Sequence, residues 1–168
     1  MKRVSRLAIL AWVAAVGSPG AAEIATAPDF ALPAIQGVNV RLSEYRGQVV
    51  VLTFWSSRCS VCATQLADLE EQQRTYGSAG LVTLAISVDD DLDRARAYAR
   101  QHAASVPLLL DAQLQVSRQY QVDRLPTVVL IDRRGRVRQR FRDYHRTDNS
   151  YISQVRALLD DSGSTAGQ

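Results

Sequence analysis

Residues 50–62 decide the fold of this chain, and they read Val-Val-Leu-Thr-Phe-Trp-Ser-Ser-Arg-Cys-Ser-Val-Cys. The stretch from Gln48 to Trp55 is an almost unbroken run of β-branched, aliphatic and aromatic residues. Such a run is typical of a strand that is covered on both faces, usually a parallel one. From Val61 to Tyr76, apolar residues recur at roughly helical spacing among Gln, Asp, Glu and Arg. The sequence therefore predicts a buried strand, a turn with two cysteines, and a helix.

Cys59 and Cys62 are the two cysteines of the 168-residue chain, and both lie at the predicted start of this helix. A spacing of three places both sulfurs on one helical face, where they can close a small ring and reopen it. A helix N-terminus offers unpaired N–H groups and the positive end of the helix dipole, which favour thiolate over thiol. Arg58 adds a cation directly before Cys59. We therefore predict Cys59 as the nucleophile and Cys62 as the thiol that resolves a mixed disulfide.

The alternative to a redox pair is a static disulfide between the same two residues. A ring this short constrains the unfolded chain little, because the stabilisation from a disulfide grows with loop length. A closed zinc site needs four nitrogen or sulfur ligands. Besides the two cysteines, the chain offers only His102 and His145 as candidates, so such a site is not expected. We predict no metal and no cofactor.

Strands and helices alternate along the rest of the chain. After an irregular lead-in from Phe30, a short strand is predicted at Val38 to Arg41, and Gly77 is the predicted stop of the cysteine-bearing helix. The later predicted elements are a strand over Leu81 to Val88, a helix over Leu92 to Ala103 capped by Asp89 to Asp91, a strand over Leu108 to Leu110, a helix near Ala112 to Tyr120, a strand over Thr127 to Ile131, a turn at Asp132 to Gly135, an antiparallel strand over Arg136 to Phe141, and a last helix capped by Asp148 or Asn149 and ending near Leu159. This order predicts an α/β fold with a mixed central sheet and helices on both faces.

Leu125-Pro126-Thr127 is the second signal, directly before a predicted buried strand. Proline can begin a strand but cannot donate into its ladder, and X-Pro bonds are where cis peptides occur. Alone this signal is weak. About 65 residues beyond a C-x-x-C pair, in a strand-and-helix pattern, it becomes specific.

Together with Leu42-Ser-Glu-Tyr-Arg-Gly47 and residues 125–137, the stretch from Val50 to Cys62 resembles the exported thioredoxin-like oxidoreductases of the TlpA/ResA type. The likeness covers about Asp29 to Leu159. It implies a thioredoxin fold with an N-terminal extension and an insert carrying the helix near residues 89–103. It also implies thiol–disulfide exchange at the two cysteines, a cis proline at Pro126, and pairing of the backbone at Leu125 with a bound substrate chain.

The sequence departs from the pattern of that family at four positions. Arg58 stands where Trp is usual, Val61 where Pro is usual, and Arg124 where Gly is common. Thioredoxins proper carry a buried Asp six residues before the first cysteine, and here that position is Thr53. Because Thr cannot serve as a base near neutral pH, water or another group must handle the proton of Cys62.

The first 22 residues predict export. Lys2, Arg3 and Arg6 precede ten apolar residues and then small residues ending at Ala22, which together form a secretory signal peptide too short to span a bilayer. An uncleaved anchor is the alternative. The predicted domains are 1–22 signal peptide, 23–29 tether, 30–160 thioredoxin-like domain and 161–168 disordered tail.

Charge along the chain excludes one class of partner. Removal of residues 1–22 takes three of the 20 cations and none of the 17 acidic residues, so the formal net charge of +3 belongs to the export signal. Seven arginines lie between Arg133 and Arg146, and those from Arg136 to Arg142 alternate along one predicted strand. Alternation places them on the solvent face, where charges protect an edge strand from aggregation. Interleaved stacking aromatics are missing, so we predict no nucleic-acid binding.

These patterns predict a periplasmic thiol-disulfide oxidoreductase that reduces disulfides in exported clients. The resemblance implies apocytochrome c among the protein disulfide substrates and a membrane thiol donor of the DsbD/CcdA type. Two alternatives stay open. One is a copper-delivery protein using Cys59, Cys62 and His145, although copper chaperones of related fold space their cysteines one residue wider. The other is a thiol peroxidase, although Ser56 stands where a peroxiredoxin has Thr.

Overall fold

The computed structural model describes residues 25–35, 37–102, 105–142 and 149–161. The predicted signal peptide with Lys2, Arg3 and Arg6, the copper candidate His145, the cap Asp148 and most of the predicted tail lie outside these residues. Within them, no helix is both long and apolar enough to cross a membrane.

Seven strands and four helices make up the described part of the chain, with short 3-10 helices at Leu42–Tyr45 and Gly77–Ala79. The strands are β1 Ala31–Pro33, β2 Asn39–Arg41, β3 Val49–Trp55, β4 Leu81–Ser87, β5 Leu108–Leu110, β6 Thr127–Ile131 and β7 Val137–Phe141. The helices are α1 Cys62–Tyr76, α2 Leu92–His102, α3 Gln115–Gln119 and α4 Asn149–Asp160. The predicted mixed α/β order is confirmed.

The main sheet has the order β5-β4-β3-β6-β7. β4 runs parallel to β3 and to β5, β6 runs antiparallel to β3, and β7 runs antiparallel to β6. All of β3 is buried, as its apolar run predicts. β3 and β4 end, and β6 begins, at the same end of the sheet. The loops after Trp55 and Ser87 therefore meet the loop before Thr127 there.

The alternating side chains of β3 divide the core into two clusters, one on each face of the sheet. Val49, Val51 and Trp55 pack with buried residues of α1, α2 and α4. Val50, Leu52 and Phe54 pack with the β1–β2 hairpin and α3. Strand periodicity therefore places α1, and Cys62 with it, over the Trp55 face.

The N-terminal segment is more ordered than the predicted tether and irregular lead-in. β1 pairs with β2, Ala34 bridges to Leu109 at one edge of the sheet, and Thr26 bridges to Arg136 at the other. Residues 25–27, part of the predicted tether, are therefore packed against the sheet. They contact the start of β7, at the end of the sheet opposite to the cysteines.

The predicted end of α1 is confirmed, because the helix ends at Tyr76 with Gly77 as its C-cap. A short 3-10 helix then continues to Ala79, and Gly80 follows it with φ +95°. α3 begins at Gln115 rather than near Ala112, because Leu114 adopts a left-handed φ of 56°. The predicted cap of α2 is confirmed at Asp91, which accepts from the Arg94 N–H at 3.0 Å, whereas Asp89 binds the cysteine turn instead.

The arginine alternation of the last strand is also interrupted. β7 lies at the edge of the sheet, as predicted, but it starts at Val137 and a bulge leaves Arg138 without a cross-strand partner. Arg136 and Arg138 both contact the buried carboxylate of Asp132, at 3.0 and 3.4 Å. These two cations are therefore paired rather than free on a solvent face.

Candidate functional site

Cys59 and Cys62 form a disulfide whose Cα atoms lie 5.4 Å apart. Cys62 is the first residue of α1 and is fully buried, whereas Cys59 lies in the preceding turn and is half-buried. Cys59 is therefore the sulfur of the pair that a second protein can reach.

The disulfide lies at the N-terminus of α1, where no acidic side chain opposes the helix dipole. The Cys59 N–H donates to Ser56 O at 3.1 Å and the Cys62 N–H to Cys59 O at 3.2 Å. The N-cap residue, Val61, offers no side-chain hydrogen bond, and the first turn of α1 carries no acidic residue. The positive end of the helix dipole is therefore left to stabilise a thiolate, as the sequence predicts.

Asp89 holds the turn from the other side, and the sequence analysis missed this role. Its buried carboxylate accepts hydrogen bonds from the Ser56 hydroxyl at 2.7 Å, the Ser57 N–H at 2.9 Å and the Ser57 hydroxyl at 2.9 Å. The Ser87 hydroxyl, at the end of β4, donates to the same carboxylate at 2.9 Å. The signal in the sequence was a serine pair directly after one buried strand and an Asp directly after the neighbouring one.

The Asp89 carboxylate is charged in this setting. Burial raises its pKa, but the hydrogen bonds from Ser56, Ser57 and Ser87 outweigh that effect and bring the pKa below the ordinary value of 3.8. A buried anion therefore lies beside the turn that carries Cys59.

The Arg58 side chain forms a surface ion pair with Asp90. Its guanidinium pairs with Asp90 at 3.2 Å, and both side chains are exposed, at 62% and 75%. The predicted tuning of the Cys59 pKa by Arg58 is therefore shared with an opposing charge, and it stays a prediction.

Trp55 and Tyr98 pack in the same core cluster as Cys59 and Cys62. Their rings stack with centroids 5.5 Å apart. The Tyr98 hydroxyl interacts with the backbone N–H of Ala63, in the first turn of α1. Burial, and to a lesser degree the charge of Asp89, raise the pKa of Tyr98 above 10.0, so its hydroxyl stays protonated near neutral pH.

The Leu125–Pro126 peptide bond is cis. Since Phe54 pairs with Thr127, Pro126 lies at the same end of the sheet as the cysteine turn. Leu125 is half-buried and contacts both core clusters. The structure thus brings Arg58, Cys59, Cys62, Leu125 and Pro126 to one end of the molecule.

No buried acid comes from β3. Thr53 is fully buried, and its hydroxyl has no hydrogen-bond partner among the described residues. Among the residues that the structure describes, no three His, Cys, Asp or Glu side chains group closely enough to hold a metal ion. The ring of His102 packs on that of Tyr98, with the ring centroids 4.4 Å apart.

The arrangement combines a reachable sulfur, a buried partner sulfur and a helix dipole that stabilises a thiolate, which are the requirements for thiol–disulfide exchange. The AhpC/TSA family profile matches residues 25–140. The chain is 37% identical over 114 residues to the thiol-disulfide oxidoreductase ResA of Geobacillus kaustophilus, covering 68% of this chain and 66% of that protein. It thus aligns over about two thirds of the length of that relative.

Solved structures agree with this fold. A protein of Chlorobium tepidum assigned as a thiol:disulfide interchange protein, DsbE, superposes with a TM-score of 0.76 at 33% identity, over 80% of this chain and 96% of that one. The exposed lipoprotein thioredoxin Etrx1 of Streptococcus pneumoniae gives 0.69 at 26% identity, over 78% of this chain and all of that one. The chain therefore belongs to the AhpC/TSA family, with a thioredoxin-like fold and thiol-disulfide oxidoreductases as its relatives.

Proposed function

We propose that this chain is an exported thiol-disulfide oxidoreductase that reduces disulfides in specific client proteins. One observation carries the proposal: a reachable Cys59 is joined to a buried Cys62 at the N-terminus of α1, whose first turn carries no acidic residue. A static disulfide between the same residues would stabilise the fold little.

The cycle begins with the reduced protein. The Cys59 thiolate attacks one sulfur of a client disulfide, and the other client sulfur leaves as a thiolate. Deprotonated Cys62 then attacks Cys59 Sγ, the Cys59–Cys62 bond forms, and the first client sulfur leaves. Two electrons pass to the client, and this protein ends with a disulfide that a dithiol donor must reduce again.

Leu125 and Pro126 are proposed to bind the client chain. The support is position, because Thr127, two residues after Leu125, pairs with Phe54 near the end of β3 from which the cysteine turn starts. A client strand paired there would bring its disulfide against Cys59, by the main-chain pairing that recurs in peptide recognition.

The proposed setting is the periplasm. Residues 1–22 would direct export, and 161–168 would form a disordered tail after the thioredoxin-like domain of 30–160. Because residues 25–27 pack at the end of the sheet opposite to Cys59, a retained membrane anchor would leave the cysteines facing away from the bilayer. Apocytochrome c as a client and a membrane donor of the DsbD/CcdA type follow from the family resemblance and belong to the proposal.

A thiol peroxidase is the second candidate, because the matching family is AhpC/TSA. In that reaction Cys59 would be oxidised by a hydroperoxide and Cys62 would resolve it. The hydroxyl of Ser56, at the position of the peroxiredoxin Thr, is engaged by Asp89 at 2.7 Å, which argues against this use. The copper alternative depends on His145, outside the described residues.

A trapping experiment tests the proposal. Cys62→Ser should accumulate mixed disulfides with client proteins through Cys59, while Cys59→Ser, the matched control, should trap none. Wild type should catalyse reduction of insulin by dithiothreitol. Insulin reduction at the uncatalysed rate would contradict the proposal, and rapid peroxide consumption in its place would favour the peroxidase.

A further inference from the structure

The turn that carries Cys59 is held by a second loop, which follows β4. Asp89 in that loop is 4% exposed and accepts hydrogen bonds from Ser56, Ser57 and Ser87. The Ser56 hydroxyl in turn accepts from the Arg58 N–H at 3.2 Å. One carboxylate therefore determines the conformation of three consecutive residues directly before Cys59.

We propose that Asp89 is a positioning residue that holds the Cys59 turn and, through its buried negative charge, favours the disulfide over the dithiol. The inference rests on the proposed exchange at Cys59 and Cys62. The Asp89 charge makes this protein a stronger reductant than the helix dipole of α1 alone would make it.

Asp89 binds the chain close to Cys59. The Ser57 N–H, which donates to the Asp89 carboxylate at 2.9 Å, lies two residues before Cys59 in the chain. A buried anion bound to this turn disfavours a thiolate on Cys59, and buried charges are screened little by salt. Since stabilising the reduced form makes a dithiol pair more oxidising, destabilising its thiolate makes the pair more reducing.

The charged and titratable groups on the cysteine turn itself, on α1 and at Tyr98 add no second buried charge. Arg58 is paired with Asp90 on the surface at 3.2 Å. Tyr98, on α2, is neutral near pH 7 because its pKa is raised. The first turn of α1 adds no acid. Of the groups on these elements, Asp89 is the one that is both buried and charged.

The test measures the equilibrium of the full-length protein with reduced and oxidised glutathione. In Asp89→Asn the charge is lost and the volume is kept. We expect the equilibrium to move about tenfold toward the dithiol, which corresponds to a potential about 30 mV higher. The rate of Cys59 alkylation by iodoacetamide against pH should show a lower thiol pKa. Asp89→Glu, which keeps the charge, should stay within about threefold of wild type.

Asp111→Asn is the matched control. Asp111 is also a buried carboxylate that accepts backbone N–H groups, from residues 115–117, but it caps α3 on the other side of the sheet. Its variant should lose stability without moving the glutathione equilibrium. Equal shifts in both Asp→Asn variants, or no shift in Asp89→Asn, would overturn the inference.

A second pair of variants covers the case in which Asp89→Asn does not fold. Ser56→Ala keeps the Asp89 charge but removes the hydroxyl that links it to the Arg58 N–H. We expect the exchange rate with glutathione to fall at least threefold while the equilibrium stays in place. Ser105→Ala removes a similar hydroxyl bond to Glu70, at 2.9 Å, and should change neither. An unchanged exchange rate in Ser56→Ala refutes the positioning role. Absence of any exchange in wild type would instead refute the proposed function.

Discussion

Tyr98 stacks on Trp55 with the ring planes 20° apart, and its hydroxyl reaches the first turn of α1 at Ala63. The inserted helix α2 therefore supports the strand and the helix that flank the cysteine turn. Tyr98 contributes to this support with an apolar ring and a polar hydroxyl, beside the buried Ala95 and Ala99 of the same helix.

Tyr98→Ala should lower the free energy of unfolding by about 2–4 kcal/mol, because the half-buried ring leaves a cavity beside Trp55. Tyr98→Phe keeps the stack and should cost at most about 1 kcal/mol, for the loss of one hydrogen bond. Urea denaturation followed by Trp fluorescence measures both. If the two variants were equally destabilised, the stack would not be the source of the stability.

Arg58→Gln and Asp90→Asn should move the pKa of Cys59 in opposite directions. Loss of Arg58 removes a cation and raises the thiol pKa, whereas loss of Asp90 frees that cation and lowers it. Both shifts should be small and should vanish in 1 M salt, because the pair is exposed. Alkylation rates against pH, at low and high salt, give the two values. Shifts of the same sign would show that Arg58 does not act on Cys59 through its charge.

Asp132 should make stability depend on pH in the acid range. Burial raises its pKa, but hydrogen bonds from Arg134 and Arg136 and the Arg136 charge outweigh burial and lower the pKa below 3.8. The carboxylate therefore stabilises the fold fully above about pH 5, and this contribution is lost as pH falls through the folded-state pKa. Asp132→Asn should be about 1–3 kcal/mol less stable than wild type at pH 7, with the difference shrinking below pH 4. Chemical denaturation across pH 3–7 measures it, and a difference that widens in acid would contradict the assignment.

Gly135→Ala should destabilise the β6–β7 turn by about 2 kcal/mol or more. Gly135 has φ +75°, which costs an L-residue about 1–2 kcal/mol, and an added Cβ would lie 0.9 Å from Arg46 Nη1. Gly37→Ala is the control, because its φ of +93° carries the backbone cost while no described atom lies within 4 Å of the new Cβ. Thermal unfolding of both variants separates the two effects. Equal losses would mean that displacing Arg46 costs nothing.

Much of the fold could be predicted from local patterns. The apolar run of β3 reports burial on both faces, and the helical spacing after Val61 reports one buried face, so β3 and α1 were placed within one or two residues. The start of α3 was less predictable, because Leu114 adopts a left-handed φ of 56° that a leucine rarely takes.

The sequence by itself determined the chemistry of this protein: a C-x-x-C pair at a helix start after a buried strand, and a proline before another strand. These are local features, and local features follow from spacing and hydrophobicity. Tertiary structure alone decided the surroundings of the pair. Asp89 reaches Ser56 across 33 residues because β3 and β4 pair in register from Val49 with Leu81 to Trp55 with Ser87 and end together. A hydrogen bond between loops depends on that register, which periodicity within one strand does not specify.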